Sequence, residues 1–256
     1  MTTSTADLWH HYGRARAASD RAVPGAFYWN WGQDAGPGPE VLGDLTDRCV
    51  GDLGAGMARH AAYLAVHHQP AHISAIDASP AQHAMATDLY AHLAPRLRIV
   101  ASDAVPHLNT MTGTYDVLYS IFGAVDFTDP RVLLPTAAAA LKPGGRLVFA
   151  TLAHYLNGAP AQPDAVAADV PAKTPDGEAA VMHRWVLQKH VWTKLLDEAG
   201  FTDITTDVLP ATTDGPRSAD TLLVSACCPS PAINEWLRGT GPTTTRTPVL
   251  ADRRWD

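Results

Sequence analysis

From Arg48 onward, short apolar runs alternate with Ala-rich stretches of helical length, and no other feature narrows the possible folds so far. The runs that read as strands are Cys49–Leu53, Ile73–Ile76, Leu97–Ala101, Tyr115–Tyr119 and Arg146–Ala150. Helices are expected between them at Ala58–Val66, Pro80–Leu93 and Arg131–Leu141. Pro80 is preorganised for a first helical turn, and Pro143-Gly144-Gly145 ends the last helix. Such alternation predicts a parallel sheet with helices on both faces. It pauses over 152–187, a stretch rich in Pro, Ala and Asp that reads as an insertion or lid, then resumes with a helix at Lys189–Ala199 stopped by Gly200. Strands at Thr202–Leu209 and Thr221–Ala226 complete an expected α/β fold with a doubly wound, mostly parallel sheet of seven strands. An aromatic-rich N-terminal cap occupies 1–46, the domain itself 47–228, and a C-terminal tail 229–256.

Composition removes several functional classes. A chain of 256 residues buries a core without disulfide or metal staples. The formal charge of −7, from 19 basic and 26 acidic side chains, offers no strong field for a phosphate backbone, so nucleic acid is not an expected partner. The three cysteines, Cys49, Cys227 and Cys228, match neither a disulfide framework nor a zinc spacing, and a reducing compartment follows. No signal-peptide core is present and no run approaches the ~18 apolar residues of a membrane span. The expectation is a cytoplasmic protein without membrane contact.

The most informative loop follows the first strand: Val50-Gly51-Asp52-Leu53-Gly54-Ala55-Gly56-Met57-Ala58-Arg59. Glycines there let a ligand approach the backbone, beside the free N–H groups of a helix N-terminus. A dinucleotide site would need a small residue where Arg59 stands, and the acid Asp52 is foreign to that fingerprint. No Gly-Lys-Ser/Thr follows, which excludes a Walker loop.

The stretch resembles the first motif of class I S-adenosylmethionine-dependent methyltransferases, an acid followed by G-x-G-x-G, with Ala58 in place of the third glycine. Four further stations agree in order and spacing. Ile76-Asp77-Ala78-Ser79 resembles the motif whose acid accepts from both ribose hydroxyls and whose next residue packs on adenine. Ser102-Asp103-Ala104 resembles the adenine station, where the acid accepts from the exocyclic amine. The stretch Tyr115 to Gly123 resembles strand four with its active-site exit, including Ser120 and Phe122, and Leu141-Lys142-Pro143-Gly144-Gly145-Arg146-Leu147 the turn into strand five. The resemblance runs from about Tyr12 to Cys227. It implies a Rossmann-like sheet, S-adenosylmethionine as methyl donor with S-adenosylhomocysteine as product, and no metal. The cofactor contacts it implies are Tyr12, Asp52, Gly54, Ala55, Gly56, Asp77, Ala78, Asp103, Ala104 and Ser120.

The acceptor side is read from the two covers. Tyr28, Trp29 and Trp31 in the N-terminal segment, Phe122 after strand four and Tyr155 in the insertion are expected to shape a flat, partly apolar substrate pocket. His154 and His183 are the candidate general bases, because imidazole titrates near neutrality. No Asn/Asp-Pro-Pro-Tyr/Phe follows strand four, and no acidic metal cluster of the catechol type is seen. A small metabolite is therefore the expected acceptor, at oxygen, nitrogen or carbon, and the Ala-, Arg- and Pro-rich composition suggests actinobacterial natural-product tailoring. The expected assembly is a monomer or homodimer. Two other readings share the fold: a cofactor-bound enzyme of rearrangement or cyclisation, and a binding module without transfer.

Overall fold

In the computed structural model, which describes residues 22–230 except Pro175 and Pro216, the apolar runs pair as one seven-stranded sheet. The strands are β1 (Cys49–Leu53), β2 (His72–Asp77), β3 (Leu97–Ala101), β4 (Tyr115–Ile121), β5 (Leu141–Leu152), β8 (Thr202–Leu209) and β9 (Thr221–Cys227), in the order β3-β2-β1-β4-β5-β9-β8. β1 to β5 are mutually parallel, and β9 is antiparallel to both β5 and β8. The connecting helices are α1 (Arg59–His67), α2 (Pro80–Tyr90), α3 (Ala104–Asn109), α4 (Ala124–Phe127), α5 (Pro130–Ala140) and α6 (Lys189–Glu198).

A central parallel strand is covered on both faces and so carries apolar side chains on both. β1 is buried from Val50 to Leu53, and its alternating residues feed two separate cores. Val50 packs with Ala61, Leu64, Ile73, Tyr119 and Val148 on one face. Leu53 packs with Ile76, Leu118, Leu134, Phe149 and Trp192 on the other. Segment 22–46 closes the first core: Phe27 and Trp29 are buried against α1 and Tyr119, and the Trp29 indole N–H donates to Gly38 O at 2.8 Å.

The differences from the sequence reading are local. Ala58 is not the first helical residue but the cap before it, held in the left-handed region at φ +58°. α2 ends at Tyr90, and residues Ala91–Leu93 form a tighter turn. β5 begins at Leu141 because that residue already pairs with Tyr115 ahead of a register shift. The short helices α3 and α4 carry too little apolar periodicity to be read from sequence. Inside 152–187 lies an antiparallel hairpin, β6 (Ala168–Lys173) with β7 (Ala179–Arg184). Pro171 disguised it, since proline is foreign to central strands and tolerated at the edges of a two-stranded ribbon.

Candidate functional site

The chain runs outward from β1 through β2 to β3, then returns to place β4 on the other side of β1. At such a switch point the loops leave the strand ends in opposite directions and open a crevice. A cavity of about 1170 Å³ lies there. On the β1–β3 side it is lined by Gly54 to Met57, Asp77, Ala78 and residues 102–106. On the β4 side the lining comes from Phe122 to Ala124, Phe127 to Asp129, Trp31 to Gln33 and, in the β8–β9 loop, Ala211 to Thr213, Gly215 and Arg217 to Ala219.

The glycine loop is built by backbone constraint. Gly54 has φ +77°, and a Cβ there would lie 2.3 Å from the Ala124 backbone nitrogen. Its N–H and that of Ala55 both donate to Ile76 O, at 2.9 and 3.0 Å. Gly56, at φ +54°, donates its N–H to Asp77 Oδ2 at 2.8 Å, and Ser79 N–H donates to Asp77 Oδ1 at 2.8 Å. Asp77 thus ties the loop after β1 to the start of α2. One bond on each oxygen leaves further acceptor sites on both, and the carboxylate lines the cleft. The apolar surfaces of Ala78, Val105 and Pro106 line the same half.

Asp52 lies at the back of this half, 2 % exposed, accepting from the Tyr119 hydroxyl at 2.9 Å. Burial drives its carboxyl up from 3.8 to about 7, the Tyr119 bond opposes the rise, and the Asp77 carboxylate adds to it. Burial likewise raises Asp77, against the pull of the Ser79 and Gly56 amides. The Tyr119 hydroxyl is held well above its ordinary value by burial and by Asp52. Two carboxyl groups that resist ionisation together favour a cationic guest.

The β4 half is aromatic. Trp31 and Phe122 meet edge to face, centroids 4.9 Å apart. Phe122 holds φ +49°, a conformation an aromatic residue seldom adopts, while its N–H donates to Ala150 O at 2.9 Å. Trp31 is fixed from across the chain: its indole N–H donates to Arg217 O at 2.9 Å and its backbone N–H to Thr221 Oγ1 at 2.8 Å. Thr212 Oγ1 donates to Asp34 Oδ2 at 2.8 Å, fastening the β8–β9 loop to the same segment.

Ten of the expected site residues line the cavity together: Asp52, Gly54, Ala55, Gly56, Asp77, Ala78, Asp103, Ala104, Trp31 and Phe122. The remainder are placed elsewhere. Ser120 is fully buried, donating its hydroxyl to Leu53 O at 2.7 Å, and braces the loop from behind. Trp29 belongs to the core, and Tyr28 lines a smaller depression with Pro24, Arg59 and His60. Tyr155 packs with Leu152 and Val186 outside the cavity. His154 is occupied at both ring nitrogens, by Tyr155 O at 3.0 Å and by the Asp220 N–H at 3.2 Å. His183 stands exposed on β7, bonded to Asp169 at 2.8 Å. Neither imidazole lines the cleft, because both sit in the insertion, none of whose described residues contributes to the lining. Tyr12 lies outside the described residues.

Among the lining residues that sequence reasoning missed are Gly32, Gln33, Met57, Arg59, His60, Gln82, Val105, Pro106, Phe127, Thr128, Asp129 and those of the β8–β9 loop. Arg59 and His60 follow the glycine loop on α1, so proximity to the motif was an available signal. The β8–β9 loop carried none, since Thr212-Thr213-Asp214-Gly215-Pro216 reads as an ordinary turn. Among the described residues no group of three or more His, Cys, Asp or Glu side chains is arranged to hold a metal, and no helix is long and apolar enough to cross a membrane.

The sheet order, the crevice at β1/β4 and the acid-ended glycine loop define the class I methyltransferase architecture. Residues 50–145 match the family described as Methyltransferase domain. That segment runs from β1 into β5, and the fold around it is that of class I methyltransferases. Solved structures agree in fold. A Listeria monocytogenes protein provisionally described as an S-adenosylmethionine dependent methyltransferase superposes with TM-score 0.56 at 17% identity, over 73% of this chain and 94% of that one. A Haemonchus contortus phosphoethanolamine N-methyltransferase 2, in complex with S-adenosyl-L-methionine, gives 0.56 at 13% identity over 75% and 51%. The 1,6-didemethyltoxoflavin-N1-methyltransferase of Burkholderia thailandensis, with 1,6-didemethyltoxoflavin and S-adenosylhomocysteine bound, gives 0.50 at 18% identity over 72% of each chain. No curated protein matches the sequence.

Proposed function

We propose that the protein binds S-adenosylmethionine along the β1–β3 half of the cleft and transfers its methyl group to oxygen, nitrogen or carbon of a small metabolite held in the β4 half. The observation that carries this reading is Asp77. Its two carboxylate oxygens each spend one acceptor site on the glycine loop or α2 and keep others for a ribose diol. Hydrogen bonds to such a charged acceptor run at about 1.5–3 kcal/mol each. Ala78, Val105 and Pro106 suit an adenine face, with Asp103 beside them to accept from its amine. Asp52, in turn, suits the cationic amino group. The cofactor supplies an electrophilic methyl on sulfonium sulfur. The cavity of about 1170 Å³ exceeds the ~300–1,000 Å³ of ordinary small-molecule pockets, which leaves room for a second molecule.

Trp31, Phe122 and Phe127 offer an apolar, flat-sided wall for that molecule. Transfer forms a bond from the acceptor atom to the methyl carbon as the carbon–sulfur bond breaks, with any acceptor proton passing to water. Orientation alone can supply about 7–11 kcal/mol of the barrier. His154 and His183 have no part in this scheme, since the insertion holds both away from the cavity. We place the enzyme in the cytoplasm, in natural-product tailoring, as a monomer or homodimer, with residues 1–46 as cover and 47–228 as the transferase domain.

The test is calorimetric titration with S-adenosylmethionine and S-adenosylhomocysteine, with NAD as control. Micromolar affinity for the first two, lost by about 100-fold or more in Asp77→Ala, is the expected result from two charged hydrogen bonds. A folded protein that binds neither, or an Asp77→Ala variant that binds both unchanged, would overturn the assignment. Accumulation of S-adenosylhomocysteine with a turned-over acceptor separates transfer from rearrangement or mere binding.

A further inference from the structure

The inserted hairpin meets the cavity-lining rings from behind, and Arg184 is the side chain that touches two of them. Arg184, at the end of β7, has its side chain 10 % exposed, and its partner Asp126 on α4 is fully buried. Nε and Nη2 both donate to Asp126 Oδ2, at 3.1 and 2.5 Å, and the neighbouring Trp185 N–H donates to Asp126 O at 2.8 Å. The guanidinium lies over two rings, 5.6 Å from the Trp31 centroid and 5.2 Å from that of Phe127. Both rings line the cavity, whereas neither Arg184 nor Asp126 does. Ala172 and Met182, on the same hairpin, pack against Phe127.

A buried ion pair adds little net stability, because desolvation offsets most of the attraction, and a well-packed apolar pair of similar volume often serves as well. What a planar guanidinium does supply is fixed geometry: a fork of donors in its plane and two faces for stacking. Here the fork holds α4 and the faces hold one ring from the N-terminal segment and one from α4. The Trp31–Phe122 edge contact is a second tie between the N-terminal segment and the stretch that leads into α4.

We infer that Arg184 is a positioning residue for the acceptor wall, and that the β6–β7 insertion is a buttress behind the wall rather than a lid over the cleft. This rests on the reading of the β4 half as the acceptor site. Its direct readout, backbone exchange, does not depend on that reading.

The experiment compares wild type with Arg184→Lys, which keeps the charge and loses the planar face, and with the apolar double variant Arg184→Met/Asp126→Leu, which keeps the volume filled. Hydrogen exchange followed by mass spectrometry is read on peptides covering 28–34, 124–130, 53–58 and 76–79. In the double variant, amides of 28–34 and 124–130 should exchange about tenfold faster or more, while those of 53–58 and 76–79 stay as in wild type. Arg184→Lys should fall between the two. S-adenosylhomocysteine affinity should remain within about threefold, well under the tenfold that 1.4 kcal/mol represents. Unchanged exchange at 28–34 and 124–130 would overturn the proposal. So would faster exchange spread equally over the glycine loop with a parallel fall in affinity, which marks a general loss of stability. If wild type itself binds no S-adenosylhomocysteine, the methyltransferase reading fails, and the exchange pattern still decides whether Arg184 braces the wall.

Discussion

Asp52 shows how far a residue's chemistry depends on its surroundings. The folded protein keeps its proton up to about pH 7, whereas an ordinary aspartate releases it near 3.8. Across that interval the folded state binds more protons than the unfolded chain, so the free energy of unfolding falls as pH rises from about 4 to about 7 and this group adds no slope outside it. Asp77, raised in the same direction, acts in the same sense. Chemical denaturation between pH 5 and 8, as approximate bounds of a convenient range, should therefore show the unliganded protein losing stability with pH, with a shallower loss in Asp52→Asn. Cofactor affinity should move oppositely: a cation beside Asp52 favours the carboxylate, so S-adenosylmethionine binding tightens through the same interval, and Asp52→Asn flattens the profile.

Phe122 presents a second residue-scale case. Its left-handed backbone costs about 1–3 kcal/mol, and its ring forms half of the edge-to-face pair with Trp31. An alanine there would lose the ring and keep the strain, whereas a glycine would lose the ring and relieve it. Thermal or denaturant melts should place Phe122→Gly above Phe122→Ala by about 0.5–1 kcal/mol. The reverse order would deny the strain. At this scale the sequence reading found Asp77, Asp103 and the glycines, because each sits within a few residues of a strand end and is marked by its type. Asp129 and Gln82 carry no such mark. They reach the cleft only because α5 and α2 start where they do.

Among the elements, the glycine loop tolerates least. A Cβ at Gly54 would meet backbone atoms of both Gly123 and Ala124, none of which can swing aside. Gly54→Ala should therefore lower stability by about 2 kcal/mol or more, since a left-handed φ and a backbone clash act together. It should also abolish cofactor binding, as the loop and α4 can no longer approach. Comparing its melt with that of Gly56→Ala checks the cause. A Cβ at Gly56 meets nothing closer than Gln82 Oε1 at 3.8 Å, so that change should cost only the backbone strain. The β8–β9 loop and segment 31–34 form the other paired element. Their hydrogen bonds join residues nearly two hundred positions apart, and no local pattern announces them.

On the scale of the whole molecule, the cleft divides by strand. Loops after β1, β2 and β3 line one half, proposed above for the cofactor, and the stretch after β4, the N-terminal segment and the β8–β9 loop line the other, proposed for the acceptor. The histidines of the insertion fall outside both. His154→Ala and His183→Ala should each leave the transfer rate within about threefold of wild type, because a general base contributes 10²–10⁴-fold only from within hydrogen-bond reach of its proton. A loss of a hundredfold in either would return that imidazole to the site, measured as S-adenosylhomocysteine released with a competent acceptor.

Sequence by itself determined the α/β class, the strands of the seven-stranded sheet, the longer helices and the residues that line the β1–β3 half of the cleft. The signals for these are short-ranged: apolar periodicity records which face of a strand or helix is buried, and a glycine or an acid at a strand end acts on its immediate neighbours. Only the tertiary structure decided which aromatic rings face the cleft, that Trp29 serves the core while Trp31 lines the cavity, and that no described residue of the insertion does. The choice between Trp29 and Trp31 is settled by partners far along the chain, Tyr119 for the one and Phe122, Arg184 and Arg217 for the other. Side chains two residues apart in an irregular segment have no fixed relation to the sheet until those contacts form.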